Sequence, residues 1–149
     1  EKILLGLTKV KWPGRFEVFI REKQVVIIDG AHNELGAQSL KAALDEWFPN
    51  KKRKFIVGFL EDKEARAFLE TIYSKNDLIY GVKVDSSRAM NKEKTMELLR
   101  NYESGWFETL KKSLENLVEL DKDSTLVVCG SLYLVGPARC WVKENFVKA

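Results

Sequence analysis

The chain of 149 residues contains one histidine, His32, within the string Asp29-Gly30-Ala31-His32-Asn33. This string brings together a carboxylate, a backbone-exposing glycine, an imidazole and an amide. A carboxylate at a strand tip can accept hydrogen bonds from ribose hydroxyls, and the free N–H groups of a helix start can hold an anion. The same Asp29 and Asn33 are equally suited to cap and brace a turn. His32 is either a proton carrier or an internally satisfied ring. Arg15, beside Gly14, suits bidentate phosphate binding or is an ordinary strand-flanking charge. Lys63, beside Asp62, orients an anion or forms an exposed ion pair.

Other chemistries lack their residues. One His and two separated cysteines, Cys129 and Cys140, provide neither a zinc set nor a disulfide framework, so no metal site is expected. The cysteine usage fits a reducing cytoplasm. The chain has no Gly-x-Ser-x-Gly elbow, no P-loop and no Gly-x-Gly-x-x-Gly string. A balance of 25 basic and 22 acidic residues, net +3, does not indicate nucleic-acid binding. Residues 51–54 (Lys-Lys-Arg-Lys) form a basic run, but no aromatics interleave it, and a solvated loop is the simpler reading. No apolar run reaches the roughly 18 residues of a membrane helix, and no signal-peptide pattern is present. The first residue is Glu1, which fits a fragment or a processed product.

The elements that must position these groups follow from periodicity. Residues 16–21 alternate, 22–23 break the pattern, and 25–29 form a β-branched run, as in a hairpin entering a buried strand. Asn33 then precedes a helical pattern that runs through Trp47 and Phe48 to Pro49. Further strands are expected at 54–59, 77–82 and 125–129. Helices are expected at 64–73, 91–102 and 106–118, with a last one after Gly130-Ser131 that Pro137 should kink or delay. The fold class is therefore α/β and Rossmann-like. Its sheet is mostly parallel, with an antiparallel edge strand from the N-terminal hairpin and helices on both faces. No linker divides residues 1–149, which read as one domain. The loops 29–33, 59–63, 85–89 and 130–131 should gather at the carboxyl ends of the strands.

Three strings together resemble the carboxy-terminal domain of folylpolyglutamate synthase/dihydrofolate synthase, within the Mur ligase superfamily. They are Trp12-Pro13-Gly14-Arg15-Phe16-Glu17, then Asp29-Gly30-Ala31-His32-Asn33 with Gly36, and Gly130-Ser131-Leu132-Tyr133-Leu134-Val135-Gly136. Gly58 with Asp62-Lys63, and Ser87-Arg88-Ala89, resemble weaker family signals. Glu34-Leu35 stands where the family often has Pro-His, and Ser87 where it often has Pro. The resemblance implies an ATP-dependent ligase that activates the tail carboxylate of a reduced folate as an acyl phosphate and joins L-glutamate to it. It implies that Arg15 reaches the ATP phosphates, Asp29 the ribose, His32 the phosphate and acyl phosphate, and Ser131 the incoming glutamate. Lys63 and Arg88 are further candidates, and Asn33 is the helix cap.

In that family the P-loop and most Mg2+ ligands belong to an N-terminal ATPase domain. The resemblance therefore implies a monomeric cytoplasmic enzyme of which this chain is the C-terminal part, inactive alone and weak in ATP affinity. No nucleic acid or membrane partner is implied. Two alternatives stand beside this reading. One is the corresponding domain of a Mur-type peptidoglycan-precursor ligase. The other is a non-catalytic α/β binding module.

Overall fold

The alternating segment and the β-branched run pair as a hairpin of β1 (Glu17–Arg21) and β2 (Gln24–Ile28), with Arg21 opposite Gln24 across a two-residue turn. This is seen in a computed structural model that describes residues 12–61, 64–120 and 123–149. The chain continues as α1 (Glu34–Trp47), β3 (Arg53–Val57), α2 (Ala65–Ile72), β4 (Leu78–Val82), α3 (Lys92–Leu99), β5 (Ser104–Phe107), α4 (Leu110–Leu120), β6 (Thr125–Cys129), α5 (Leu132–Asn145) and β7 (Val147–Lys148). All described strands join one sheet, in the order β5-β4-β3-β6-β2-β1-β7. The five strands from β5 to β2 are parallel, and β1 and β7 add antiparallel pairs. The expected α/β class is therefore present, although β7 rather than the hairpin strand forms the outer edge.

Continuous apolar runs suit strands that are covered on both faces. Along β6, Leu126 and Val128 point into one core while Val127 and Cys129 point into the other. One core packs α1, α2 and α3 against the sheet, through Leu40, Leu44, Phe68, Ile72 and Leu99. The opposite core packs α4 and α5, through Leu114, Leu117, Ala138 and Val142. The helices that follow β2 and β6 thus leave these neighbouring strands toward opposite faces. That divergence opens a crevice beyond their carboxyl ends, where open α/β sheets bind ligands. No helix among the described residues is long and apolar enough to cross a membrane.

Three expectations are corrected. Trp106 does not begin a helix: it lies in β5, pairs with Gly81 of β4, and the helix starts at Leu110. Its spacing to Leu110 mimics one helical turn, but Trp106 packs where Gly81 lacks a side chain. Pro137 does not delay or interrupt the last helix, because α5 runs unbroken from Leu132 to Asn145. Gly136 and Pro137 are exposed, so water can satisfy the carbonyl that loses its donor. The basic run is not simply a solvated loop, since Arg53 and Lys54 begin β3 and are buried while Lys51 and Lys52 are exposed.

Candidate active site

The loops after β2, β3, β4 and β6 meet at the crevice. Gly130 N–H donates to the Ala31 carbonyl at 2.7 Å, and Asp29 N–H donates to the Val128 carbonyl at 3.0 Å. These bonds knit the β2 and β6 loops together. Glu61 N–H donates to the Arg88 carbonyl at 2.9 Å, and Met90 N–H to the Phe59 carbonyl at 2.9 Å, joining the β3 and β4 loops.

Asp29 ends β2 as a buried carboxylate. Its Oδ1 accepts the Ala31 N–H and its Oδ2 accepts the Phe16 N–H, both at 2.7 Å. It therefore braces its own turn and the loop before β1, while each oxygen retains a lone pair for a ligand. Arg15 is exposed on that loop, and a side chain on Gly30 would come within 3.6 Å of its Nη1. Arg15 and Asp29 share a cavity of about 370 Å³ with Phe16, Leu35, Gly36 and Ser39.

His32, Arg88 and Ser131 line a second cleft of about 180 Å³, together with Leu60, Gly130 and Tyr133. His32 Nδ1 lies 2.8 Å from the Gly30 carbonyl, so Nδ1 carries the proton and a neutral ring leaves Nε2 free as an acceptor. Ser131 is buried and caps α5, its Oγ accepting the Tyr133 N–H at 3.3 Å. Asn33 caps α1 by accepting the Gly36 N–H at 2.9 Å. Arg88 is exposed on the β4 loop. The candidates thus fall into two clefts joined by the loop 29–33, with Arg15 and Asp29 in one and His32, Arg88 and Ser131 in the other. Lys63 and Asp62 lie outside the described residues. No group of three or more His, Cys, Asp or Glu is placed to hold a metal ion among the described residues.

Two features carry no signal in the local sequence. A cleft of about 620 Å³ adjoins the second one at Tyr133, lined by Lys83, Ser86, Ser87, Glu108 and Thr109 among others. Its Glu108–Thr109 wall follows β5, the strand that helical spacing conceals. The other feature is Glu17, a buried carboxylate that accepts hydrogen bonds from the Gly14 N–H, Arg139 and Lys148. Burial alone would raise its pKa, but these donors outweigh burial and hold the carboxyl at about 2 against an ordinary 4.5. Because the folded value is the lower one, the stabilisation is complete above about pH 4.5 and is lost as pH falls toward 2. Acid titration of the folded chain should therefore lose roughly 3 kcal/mol across that window. In Glu17→Gln this loss should disappear, as measured by urea unfolding at stepped pH. An unchanged acid profile would refute the assignment.

Comparison with known proteins places the chain in a family. The family model described as dihydrofolate synthetase, C-terminal domain, matches residues 15–138. Folylpolyglutamate synthase of Lacticaseibacillus casei is 31% identical over 141 residues, covering 93% of this chain and 32% of that protein. Mycobacterium tuberculosis folylpolyglutamate synthase, solved with ADP and AMPPCP, superposes with TM-score 0.81 at 25% identity, over 95% of this chain and 34% of the other. A bifunctional folylpolyglutamate synthase/dihydrofolate synthase with Mn, AMPPNP and L-glutamate bound gives TM-score 0.81 at 25% identity, over 93% and 33%. The chain thus spans about a third of the length of each of these proteins. Since the family model runs from Arg15 through both loops of the crevice to the body of α5, the chain belongs to the dihydrofolate synthetase C-terminal domain family.

Proposed function

We propose that the chain is the C-terminal domain of a cytoplasmic ATP-dependent ligase that adds L-glutamate to the glutamate tail of a reduced folate, working against an N-terminal ATPase domain. The observation that carries this reading is the division of the candidates into two clefts lined from the same 29–33 loop. A guanidinium and a carboxylate line one, and an imidazole and a hydroxyl line the other. The related structures support it, being solved with adenine nucleotides and, in one case, with L-glutamate and Mn.

The residues present fit the nucleotide's ribose and phosphates, for which Asp29 offers acceptor lone pairs and Arg15 a fork of donors. Mg2+, which needs only one or two carboxylates beside the nucleotide phosphates, is assigned mainly to ligands of the N-terminal domain. ATP, when bound, supplies the phosphoryl group that activates the folate carboxylate. The work of this chain is charge placement and orientation, on which phosphoryl transfer depends. Arg15 neutralises phosphate charge. His32, fixed in one tautomer by the Gly30 carbonyl, presents Nε2 to accept a proton from the incoming amino group. Ser131, with Arg88 on the facing loop, orients the glutamate.

The 149-residue chain alone should give no glutamate ligation and should bind ATP with a Kd of roughly millimolar or weaker, because one wall of the site is missing. Calorimetry with ATP and a ligation assay with labelled glutamate check both. Micromolar ATP binding or turnover by the isolated chain would overturn the divided-site reading. Assaying the full-length protein with folates and with muramyl nucleotides separates the folate reading from the Mur-type one.

A further inference from the structure

We propose that Glu17 is a positioning residue for Arg15: it holds the 14–16 loop on the sheet so that the guanidinium stands over Gly30 at the nucleotide cleft. The inference rests on the nucleotide reading of Arg15 given above. Glu17 opens β1 and is only 4% exposed. Its Oε2 accepts the Gly14 N–H at 2.7 Å and the Arg139 Nε. Its Oε1 accepts Arg139 Nη2 at 3.1 Å and Lys148 Nζ at 2.6 Å. One carboxylate therefore ties together the loop, α5 and β7.

Gly14 is held from both sides, because its own carbonyl accepts the Gly30 N–H at 2.7 Å. The bracket thus closes on the residue over which Arg15 lies. The Arg15 side chain makes no ion pair among the described residues, so its placement depends on its backbone. A purely structural bracket would not need a buried carboxylate held by a partly exposed arginine and an exposed lysine, since apolar packing of similar volume is often as stable. What a fully bonded carboxylate adds is a defined geometry.

Steady-state kinetics of the full-length protein with ATP as the varied substrate tests this. Glu17→Gln should raise the KM for ATP about tenfold while kcat changes less than about twofold. A merely structural role would instead shrink the active fraction, lowering kcat at unchanged KM. Arg15→Ala should show a similar KM rise, and adding Glu17→Gln to it should cause no further rise, because the two act through one contact. If Arg15→Ala raises KM and Glu17→Gln does not, the positioning role is overturned and the nucleotide reading stands. If Arg15→Ala leaves KM unchanged, the nucleotide reading fails and the inference fails with it. Should Glu17→Gln not fold, Arg139→Lys decides, because it keeps a positive charge near the carboxylate while breaking the two-oxygen grip that orients it toward the Gly14 N–H. A KM rise of about two- to threefold then supports the proposal, and an unchanged KM overturns it.

Discussion

Asp29→Ala should lower the unfolding free energy by about 2–5 kcal/mol, a large share of the total for a domain of this size. The carboxylate takes the Phe16 and Ala31 N–H groups at 2.7 Å each, in a buried position. Alanine leaves two backbone donors without protein partners, at about 1–3 kcal/mol for the buried Ala31 N–H and less for the part-buried Phe16 N–H. Phe16 also holds φ at +44°, in the left-handed region that a bulky residue rarely occupies, and its N–H contact with Asp29 helps to retain that conformation. Asp29→Asn keeps one good acceptor and should lose about half as much. Urea unfolding of the chain measures both variants, with the m-value expected to stay constant. A loss below about 0.5 kcal/mol for alanine would show that the bracing is not needed. Lost ligation in an Asp29→Ala enzyme would therefore combine a damaged loop with a missing ligand contact. Asparagine, which keeps one of the two bracing bonds, reduces the damage to the loop while still altering the ligand contact.

Gly130→Ala should cost a similar amount for a different reason. Gly130 sits at φ +90°, where an L side chain is strained by about 1–3 kcal/mol. The added Cβ would also meet the Gly58 carbonyl oxygen and Phe59 Cε1, both at 3.2 Å. The first of these is backbone and yields little, so overpacking adds about 1–3 kcal/mol. The melting temperature should fall by roughly 5–15 °C, followed by circular dichroism. Gly136 is the internal control. It lies in α5, where an added Cβ would meet nothing within 4 Å beyond its chain neighbours, so the helical gain of alanine is set against its crowding by Pro137 and the net change should stay within about 1 kcal/mol. Equal melting shifts for the two glycines would refute the argument from backbone conformation.

How much is legible in the chain depends on how far apart the interacting residues lie. Asn33 is recognisable as a cap because its partner, Gly36, is three residues away. The Asp29 turn is recognisable because the strand, the carboxylate and the helix start are consecutive. By contrast, Glu17 gives no local sign of its role, since Arg139 and Lys148 are 122 and 131 residues distant. The β5 segment reads as helix because Trp106 stands four residues before Leu110, which satisfies a helical period. Its pairing with β4 is a property of the sheet and not of the segment. The short β7 is held by β1, so its own two residues carry no strand signal.

By itself the sequence determined the α/β class, the alternation of strands and helices, and which loops carry functional groups. Those properties follow from side-chain periodicity and from caps and turns that act within a few residues. Only the tertiary structure decided that β6 inserts between β2 and β3, which brings Ser131 beside His32. Only it placed Arg15 and Asp29 in a separate cavity and drew a helix and an edge strand onto Glu17. Strand order and buried charge pairing are settled by which distant surfaces can be covered and which polar groups satisfied together, and no local pattern encodes either.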